Sequence, residues 1–298
     1  MTTVKVQDKN RIAPIDTWRA IAALGVVWIH CWTHFGNPAF KIGSVDLYKL
    51  IAVVGNGVDF FFVISGFCLY IVWRNREIDI KNYLNFIKKR WLRIAPAFYA
   101  AAVIIALYCF FAEKRDMIVP IVGNLLFIQN YSNYFNISSP FWSLAVEFHF
   151  YALIPFFIFF SRKKFFLTCI ITYFISNVLL WFYHSLEYHY QIETKGIHFF
   201  VGILLAWFFY EKQTVAINYF NKTIHFLLAI VILFTGRFLL SDTFVGVSAK
   251  NAGLFKIIGV NLLVIGFALA AWVTIVNDTL SKLFSNRLGR WLGKLSYS

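Results

Sequence analysis

The sequence predicts an all-α, polytopic transmembrane helical bundle of about eight spans. Of its 298 residues, 60% are hydrophobic and only 14% are charged, and the mean hydropathy is +0.67. A soluble globular domain is about half apolar and about a quarter charged. Apolar runs long enough to cross a bilayer recur along the chain, with short charged segments between them. No long stretch is polar enough for a separate soluble domain, so one integral-membrane domain over residues 1–298 is expected.

The apolar runs set the boundaries of the predicted spans, which are 12–34, 51–73, 94–112, 141–160, 165–184, 196–211, 222–241 and 253–276. The sixth span is short, so we expect it to be tilted, partly interfacial or begun earlier. The basic segment 74–93 is expected to be an inner loop, with Pro96 in the first turn of the third span. In the outer segment 113–140, the apolar stretch 121–128 is expected to be re-entrant or to lie on the bilayer.

The distribution of lysine and arginine predicts a cytoplasmic N-terminus. In that orientation, twenty of the 28 basic residues lie on the inner side and eight on the outer side, as the positive-inside rule requires. The formal charge of +14 is therefore assigned to membrane topology. No nucleic-acid partner is expected.

Two ionisable residues share one face of the first predicted span. Arg19 and His30 are eleven positions apart, which turns an α-helix by about three turns plus 20° and climbs about 16 Å. The arginine is thus expected near the inner surface and the histidine well inside the membrane, where ionisable groups are costly and usually functional. His30 suits a general base. A hydrogen bond to a neighbouring helix is an equally good interpretation of the histidine alone.

Two carboxylates are predicted at the depth of His30. Asp59 and Glu147 lie a few residues into their spans from the outer side, so all three groups come about 6 to 12 Å below the outer surface at 1.5 Å per residue. Ser143, Glu147 and Tyr151 share a helix face at i, i+4, i+8 spacing. The sequence leaves open whether the carboxylates face His30, and a packing role for Glu147 is the alternative.

Pairs of ionisable residues at i,i+3 spacing occur twice on the inner side. Asp16 and Arg19 are close enough to pair across one helical turn. Arg90 and Arg93 present two guanidinium forks from one face, a geometry suited to phosphate. Taken alone, each pair is also explained by a helix start or by a positive-inside anchor.

The cysteines and most histidines are predicted to be structural. The cysteines lack paired or metal-ligand spacing and are expected to be small buried apolar residues: Cys31, Cys68, Cys109 and Cys169. Five histidines are expected mainly at the membrane interfaces: His34, His184, His189, His198 and His225. No metal site is predicted.

Four blocks of the sequence together resemble acyltransferase family three, the membrane-bound O-acyltransferases that modify bacterial cell-surface glycans. The blocks are Arg19 with His30 after ten intervening residues, Gly57 to Phe67 (GVDFFFVISGF), the Arg-x-x-Arg motif Arg90 to Arg93, and Phe141 to Tyr151 with its Trp-Ser-Leu-x-x-Glu pattern. They occur in the family's order within residues 12–160, whereas residues 161–280 match only in hydropathy. Residues 292–297 resemble a block that normally precedes a further span. The sequence leaves open whether the protein is naturally short of the family's last spans or the chain is truncated before them.

The resemblance implies an enzyme that transfers an acyl group, which in this family is usually acetyl, from cytoplasmic acyl-CoA to a hydroxyl of a glycan. The glycan is cell-surface or lipid-linked, such as O-antigen, exopolysaccharide or peptidoglycan. The expected location is the bacterial cytoplasmic (inner) membrane, with the bilayer, acyl-CoA and the glycan as partners. The expected catalytic residues are His30, as general base, Glu147 and Asp59. The residues expected to bind acetyl-CoA are Arg19, Arg90 and Arg93. The alternative is a transporter or flippase of a lipid-linked sugar.

Overall fold

A computed structural model describes residues 12–36, 38, 41–42, 45–46, 52–77, 79–161, 165–183, 192–211, 222–240 and 252–296. Their architecture is helical, as the sequence predicts. Eleven α-helices occur within these ranges: α1 (Ala13–His34), α2 (Gly57–Trp73), α3 (Ile80–Glu113), α4 (Ile118–Leu125), α5 (Trp142–Ser161), α6 (Phe165–Tyr183), α7 (Ile192–Glu211), α8 (Thr223–Leu239), α9 (Ala252–Val276), α10 (Asp278–Phe284) and α11 (Arg287–Leu295). Short elements complete the description: the antiparallel pair β1 (Lys41–Ile42) and β2 (Val45–Asp46), and the 3-10 turns Ala52–Asn56, Asn133–Phe135 and Ser139–Phe141.

Each of the eight predicted spans falls on one of these helices. The short sixth span begins earlier than predicted, since α7 starts at Ile192. Within the described residues, three helices have both the length and the apolar composition to cross a membrane: Val53–Trp73, Ile80–Glu113 and Gly253–Val276. Two shorter helices are also apolar: Leu167–Trp181 and Thr223–Leu239. Helix α1 is not among these helices, and its passage through the bilayer stays a prediction.

The prediction of an inner loop over residues 74–93 is wrong for most of this range, because α3 covers it from Ile80 onward. The helix already begins at Ile80, where the side chain of Asp79 accepts a 2.7 Å hydrogen bond from the backbone N–H of Asn82. This N-cap satisfies a backbone donor that the first turn of a helix leaves unpaired. Pro96 therefore lies well inside α3 rather than in its first turn. The arginines Arg90 and Arg93 stand on the same continuous helix as the third span.

The segment 113–140, which the sequence predicts to be outer, is ordered by side-chain hydrogen bonds to the backbone. Asn124 donates to the carbonyl oxygens of Pro120 at 2.8 Å and of Phe135 at 2.6 Å. The hydroxyl of Tyr99, on α3, donates to the carbonyl oxygen of Leu125 at 2.8 Å. The apolar stretch in the middle of this segment forms α4, and its placement relative to the bilayer stays a prediction.

The helices form two compact units. The first contains the residues up to Ile71 and those from Ile197 onward, and the second is Val72–Gly196. In the first unit, α8 and α9 pack closely where glycines face each other. A Cβ atom at Gly236 would lie 2.7 Å from the backbone nitrogen of Leu263. Small residues at a helix crossing let two backbones approach, which is a common way for helices to associate in membranes.

Glycines also allow α2 and α7 to pack closely. This contact positions Asp59, a residue of the candidate site. A Cβ atom at Gly66 would collide with the carbonyl oxygen of Phe199, and one at Gly202 with that of Val63. The two backbones are therefore in direct contact on both sides of the crossing. The side chains next to this crossing are held by helices that have little freedom to slide.

Candidate active site

The six residues predicted for the site are distributed over both units. They are Arg19, His30 and Asp59 in the first unit, and Arg90, Arg93 and Glu147 in the second. The hypothesis that the two carboxylates line one cavity with the histidine stays a prediction. The surroundings of each group are described within its own unit.

The predicted pair between Asp16 and Arg19 is formed. Arg19 Nη1 lies 3.8 Å from Asp16 Oδ1, and Arg19 Nη2 donates to Cys68 Sγ at 3.3 Å. The side chains are only 11% and 6% exposed. A buried charge is costly unless it is paired, so this pair allows the start of α1 to be enclosed by the protein. Arg19 thus has a structural role, and its binding of acetyl-CoA stays a prediction.

His30 lies on the exposed part of α1. Most of the helix up to Gly25 is buried, whereas from Val26 onward its residues are exposed or half-buried. The imidazole of His30 is exposed. Just beyond it, the hydroxyl of Thr33 donates to the carbonyl oxygens of Ile29 at 2.9 Å and of His30 at 3.0 Å. An accessible imidazole suits a general base, which must reach the proton that it removes.

Asp59 is held by a histidine that the sequence analysis placed at the membrane interface. His198 Nε2 lies 3.3 Å from Asp59 Oδ1, and the histidine is only 2% exposed. The other carboxylate oxygen of Asp59 accepts a 2.9 Å hydrogen bond from Asn56 Nδ2. His198 is enclosed by the protein and lies inside α7, and its position relative to the membrane interface stays a prediction.

A sequence feature could have revealed His198. Gly202 follows it at i+4, so the two residues share one face of α7. That face packs directly on the backbone of α2. Aromatic rings complete the surroundings: Phe62 stacks on Phe199 at 4.8 Å and meets the ring of His198 edge-on at 6.3 Å between centroids. These apolar neighbours lower the local dielectric, which strengthens the interaction between His198 and Asp59.

In the second unit, Glu147 belongs to a small cluster on α3 and α5. The hydroxyl of Tyr151 donates to Glu147 Oε1, so these two members of the predicted polar stripe do share a face. Ser143, the third member, instead donates to the carbonyl oxygen of Pro140 at 3.4 Å. The guanidinium carbon of Arg90 lies 4.9 Å from the ring centroid of Tyr151 and 5.3 Å from that of Phe86. Cation–π contacts of this kind fix the plane of an arginine.

Arg93 and two lysines extend the positive charge beyond Arg90. Arg93 follows one turn later on α3 and is half-buried, whereas Lys88 and Lys89 are exposed. This part of α3 therefore carries two partly enclosed guanidinium groups next to two solvated ammonium groups. Over the described part of the chain, no group of three or more His, Cys, Asp or Glu side chains could hold a metal ion.

The predictions for the remaining cysteines and histidines have mixed outcomes. Cys109 and Cys169 are buried as expected, but Cys31 is exposed, because it stands on the outward part of α1 beside His30. Cys68 is half-buried and accepts the hydrogen bond from Arg19 described above. Two of the histidines predicted at the interface lie outside the described residues: His184 and His189.

The Tyr151→Phe substitution tests the cluster in the second unit. It keeps the ring that contacts Arg90 but removes the hydroxyl that donates to Glu147. We expect the free energy of unfolding to fall by about 1–3 kcal/mol, since a partly buried carboxyl group loses a donor. Thermal unfolding in detergent measures the loss. Tyr108→Phe is the matched control, because Tyr108 is 64% exposed. Equal unfolding temperatures for the two variants would contradict the role of the hydroxyl.

Comparison with known proteins agrees with the four sequence blocks. The family model described as "Acyltransferase domain" matches residues 12–298. The "O-acetyltransferase OatA" of Staphylococcus aureus (strain NCTC 8325 / PS 47) is 30% identical over an alignment of 180 residues, which covers 54% of this chain and 27% of that protein. The "Peptidoglycan O-acetyltransferase OatA" of Listeria monocytogenes serovar 1/2a (strain ATCC BAA-679 / EGD-e) is 26% identical over an alignment of 322 residues, which covers 97% of this chain and 48% of that protein.

The match to the family model covers nearly the whole chain, although the chain spans about half the length of the Listeria relative and about a quarter of the staphylococcal one. No solved structure is significantly similar. The extent of the family match, with the blocks around His30, Asp59, Arg90 and Glu147 inside it, decides the classification. The chain belongs to acyltransferase family three.

Proposed function

We propose that this chain is a membrane-bound O-acyltransferase that moves an acetyl group from cytoplasmic acetyl-CoA to a hydroxyl of a cell-surface or lipid-linked glycan. The observation that carries the proposal is the family match over residues 12–298. The name of the Listeria relative, a peptidoglycan O-acetyltransferase, makes a peptidoglycan sugar the first acceptor to test. The proposed location is the bacterial cytoplasmic membrane, with the N-terminus inside.

Residues of α3 fit a donor that carries phosphate groups. Arg90 is held in a fixed plane by the rings of Phe86 and Tyr151, and Arg93 stands at i+3 from it. Guanidinium groups bind phosphate oxygens through pairs of charge-assisted hydrogen bonds. A guanidinium that is already fixed in place loses less conformational entropy when it binds. In the proposal, Arg90 and Arg93 bind phosphates of coenzyme A, and the thioester supplies the electrophilic carbonyl.

His30 acts on the acceptor in this proposal. The imidazole removes the proton of the sugar hydroxyl while the hydroxyl oxygen attacks the thioester carbonyl. A carbon–oxygen bond forms and the carbon–sulfur bond breaks, and the proton passes to the departing thiolate of coenzyme A. Glu147 is proposed to accept a hydrogen bond from the acceptor, and the Tyr151 hydroxyl holds its carboxyl group in place.

The His30→Ala substitution tests the general base. We expect it to abolish glycan acetylation while the protein stays in the membrane, because an exposed side chain contributes little to folding. Mass spectrometry of glycans from cells with matched protein levels measures the effect. His34→Ala is the control, since His34 is also exposed and lies one turn further along α1. Normal acetylation in the His30 variant would rule out the general-base role.

The Arg90→Ala and Arg93→Ala substitutions test the donor site. Each removes a charge-assisted contact to phosphate, so we expect a loss of about 1.5–3 kcal/mol, or roughly ten- to a hundredfold in affinity for acetyl-CoA. Calorimetric titration of the purified variants measures the change. Lys81→Ala, at an exposed position near the start of α3, is the matched control. Unchanged affinity in both arginine variants would leave these residues as topology anchors.

A further inference from the structure

A series of contacts in the first unit connects the buried His198 to the part of α1 that carries His30. We propose that His198 is a positioning residue for acyl transfer. Through Asp59 and Asn56 it holds the 3-10 turn Ala52–Asn56, and this turn packs against α1 immediately before His30. The inference rests on the proposed function for the assignment of His30, but its structural part does not depend on the reaction.

The first step is the contact between His198 and Asp59. The two side chains are 2% and 13% exposed, and 3.3 Å separates His198 Nε2 from Asp59 Oδ1. A buried carboxyl group without partners would carry a large desolvation cost. The donor nitrogen of His198 offsets part of this cost and fixes the carboxyl group in one orientation. His198 itself stands on a rigid element, because the glycine crossing of α2 with α7 lies one turn away.

The second step leads from Asp59 to the 3-10 turn. Asp59 lies in the first turn of α2, where a carboxyl group also interacts favourably with the helix dipole. Its second oxygen accepts the hydrogen bond from the side chain of Asn56, which is the last residue of the turn. One carboxyl group thus joins α7 to the end of the turn. Reorientation of Asp59 would release Asn56.

The third step is the packing of the turn on α1. A Cβ atom at Gly25 of α1 would collide with the carbonyl oxygen of Val54, so the two backbones touch. A Cβ atom at Gly55 would lie 2.9 Å from Cγ1 of Ile29. Close-packed groups transmit strain rather than absorb it. A shift of the turn would therefore press on the backbone of α1 at Gly25 and on the side chain of Ile29, the residue before His30.

Burial assigns different roles to the two histidines. His198 is almost fully enclosed, which denies a glycan hydroxyl access to its ring, whereas His30 is exposed. His198 is consequently placed to orient other groups and not to take a proton from the acceptor. Groups that act in catalysis need this kind of support, because a displacement of about 1 Å can reduce the rate about a hundredfold.

Two substitutions at His198 separate positioning from general stability. His198→Leu removes the donor to Asp59, and we expect kcat for acetyl transfer to fall roughly ten- to a hundredfold with the KM for acetyl-CoA nearly unchanged. His198→Gln offers an amide nitrogen at about the reach of Nε2, so most of kcat should return. His34→Gln is the control and should behave like the wild type. A KM increase that accounts for the whole loss in the leucine variant would overturn the inference.

Hydrogen exchange of the full-length chain in detergent gives a second readout that needs no substrate. We expect His198→Leu to accelerate exchange in residues 52–56 and 26–34, with α11 unchanged and with near-normal rates in His198→Gln. Unchanged exchange in both segments would overturn the inference even if activity fell. If exchange is accelerated throughout the His198→Leu variant, the activity of His198→Gln decides between positioning and general stability. A kcat of His198→Gln as low as that of His198→Leu would contradict the positioning role. The proposed function and the structural connection can fail separately. If His198→Leu accelerates exchange in both segments but the wild type transfers no acetyl group, the proposed function is refuted and the structural connection stands.

Discussion

The structure depends on one constraint, which is that an ionisable side chain within an apolar helix needs a partner. The desolvation cost of such groups is large in protein interiors and in hydrocarbon alike. The described residues that meet this requirement include three sets, which are Asp16 with Arg19, Asp59 with His198 and Asn56, and Glu147 with Tyr151. Every set includes a residue of the blocks that place the chain in its family, so the groups that suggest chemistry also organise the packing around them.

His30 differs from these paired groups in its exposure. It stands on the outward part of α1, whereas Asp59 and His198 are enclosed by aromatic rings and by the glycine crossing of α2 with α7. This division suits the proposed function, because a general base must be reached by the acceptor while its supporting groups are shielded from water. Rigid supporting elements are what hold a catalytic side chain in a productive geometry. In the second unit, the rings of Phe86 and Tyr151 hold Arg90 in a fixed plane, which suits the proposed binding of phosphate.

Local patterns predicted the structure well where local physics decides it. Apolar run length predicted eight of the eleven described helices. The i,i+3 and i,i+4 spacings predicted the contacts of Asp16 with Arg19 and of Glu147 with Tyr151. The prediction of a loop before Arg90 was wrong because basic composition was weighed above the N-cap at Asp79. His198 was missed because its partner, Asp59, is distant in sequence, and a single sequence carries no direct record of such a contact. Spacing along the sequence reports only local neighbours, so it does not predict whether residues of the two units act together.

The most direct test of the proposed activity is acetyl transfer by the purified chain in proteoliposomes. Acetyl-CoA labelled in its acetyl group is supplied on the side of the N-terminus, and a peptidoglycan fragment on the opposite side. The proposal predicts a labelled O-acetyl ester on the sugar with the wild type, and none with His30→Ala reconstituted at the same density. If the label never reaches the sugar in correctly oriented wild-type proteoliposomes, the chain is not an acetyl-CoA-dependent transferase acting on this glycan.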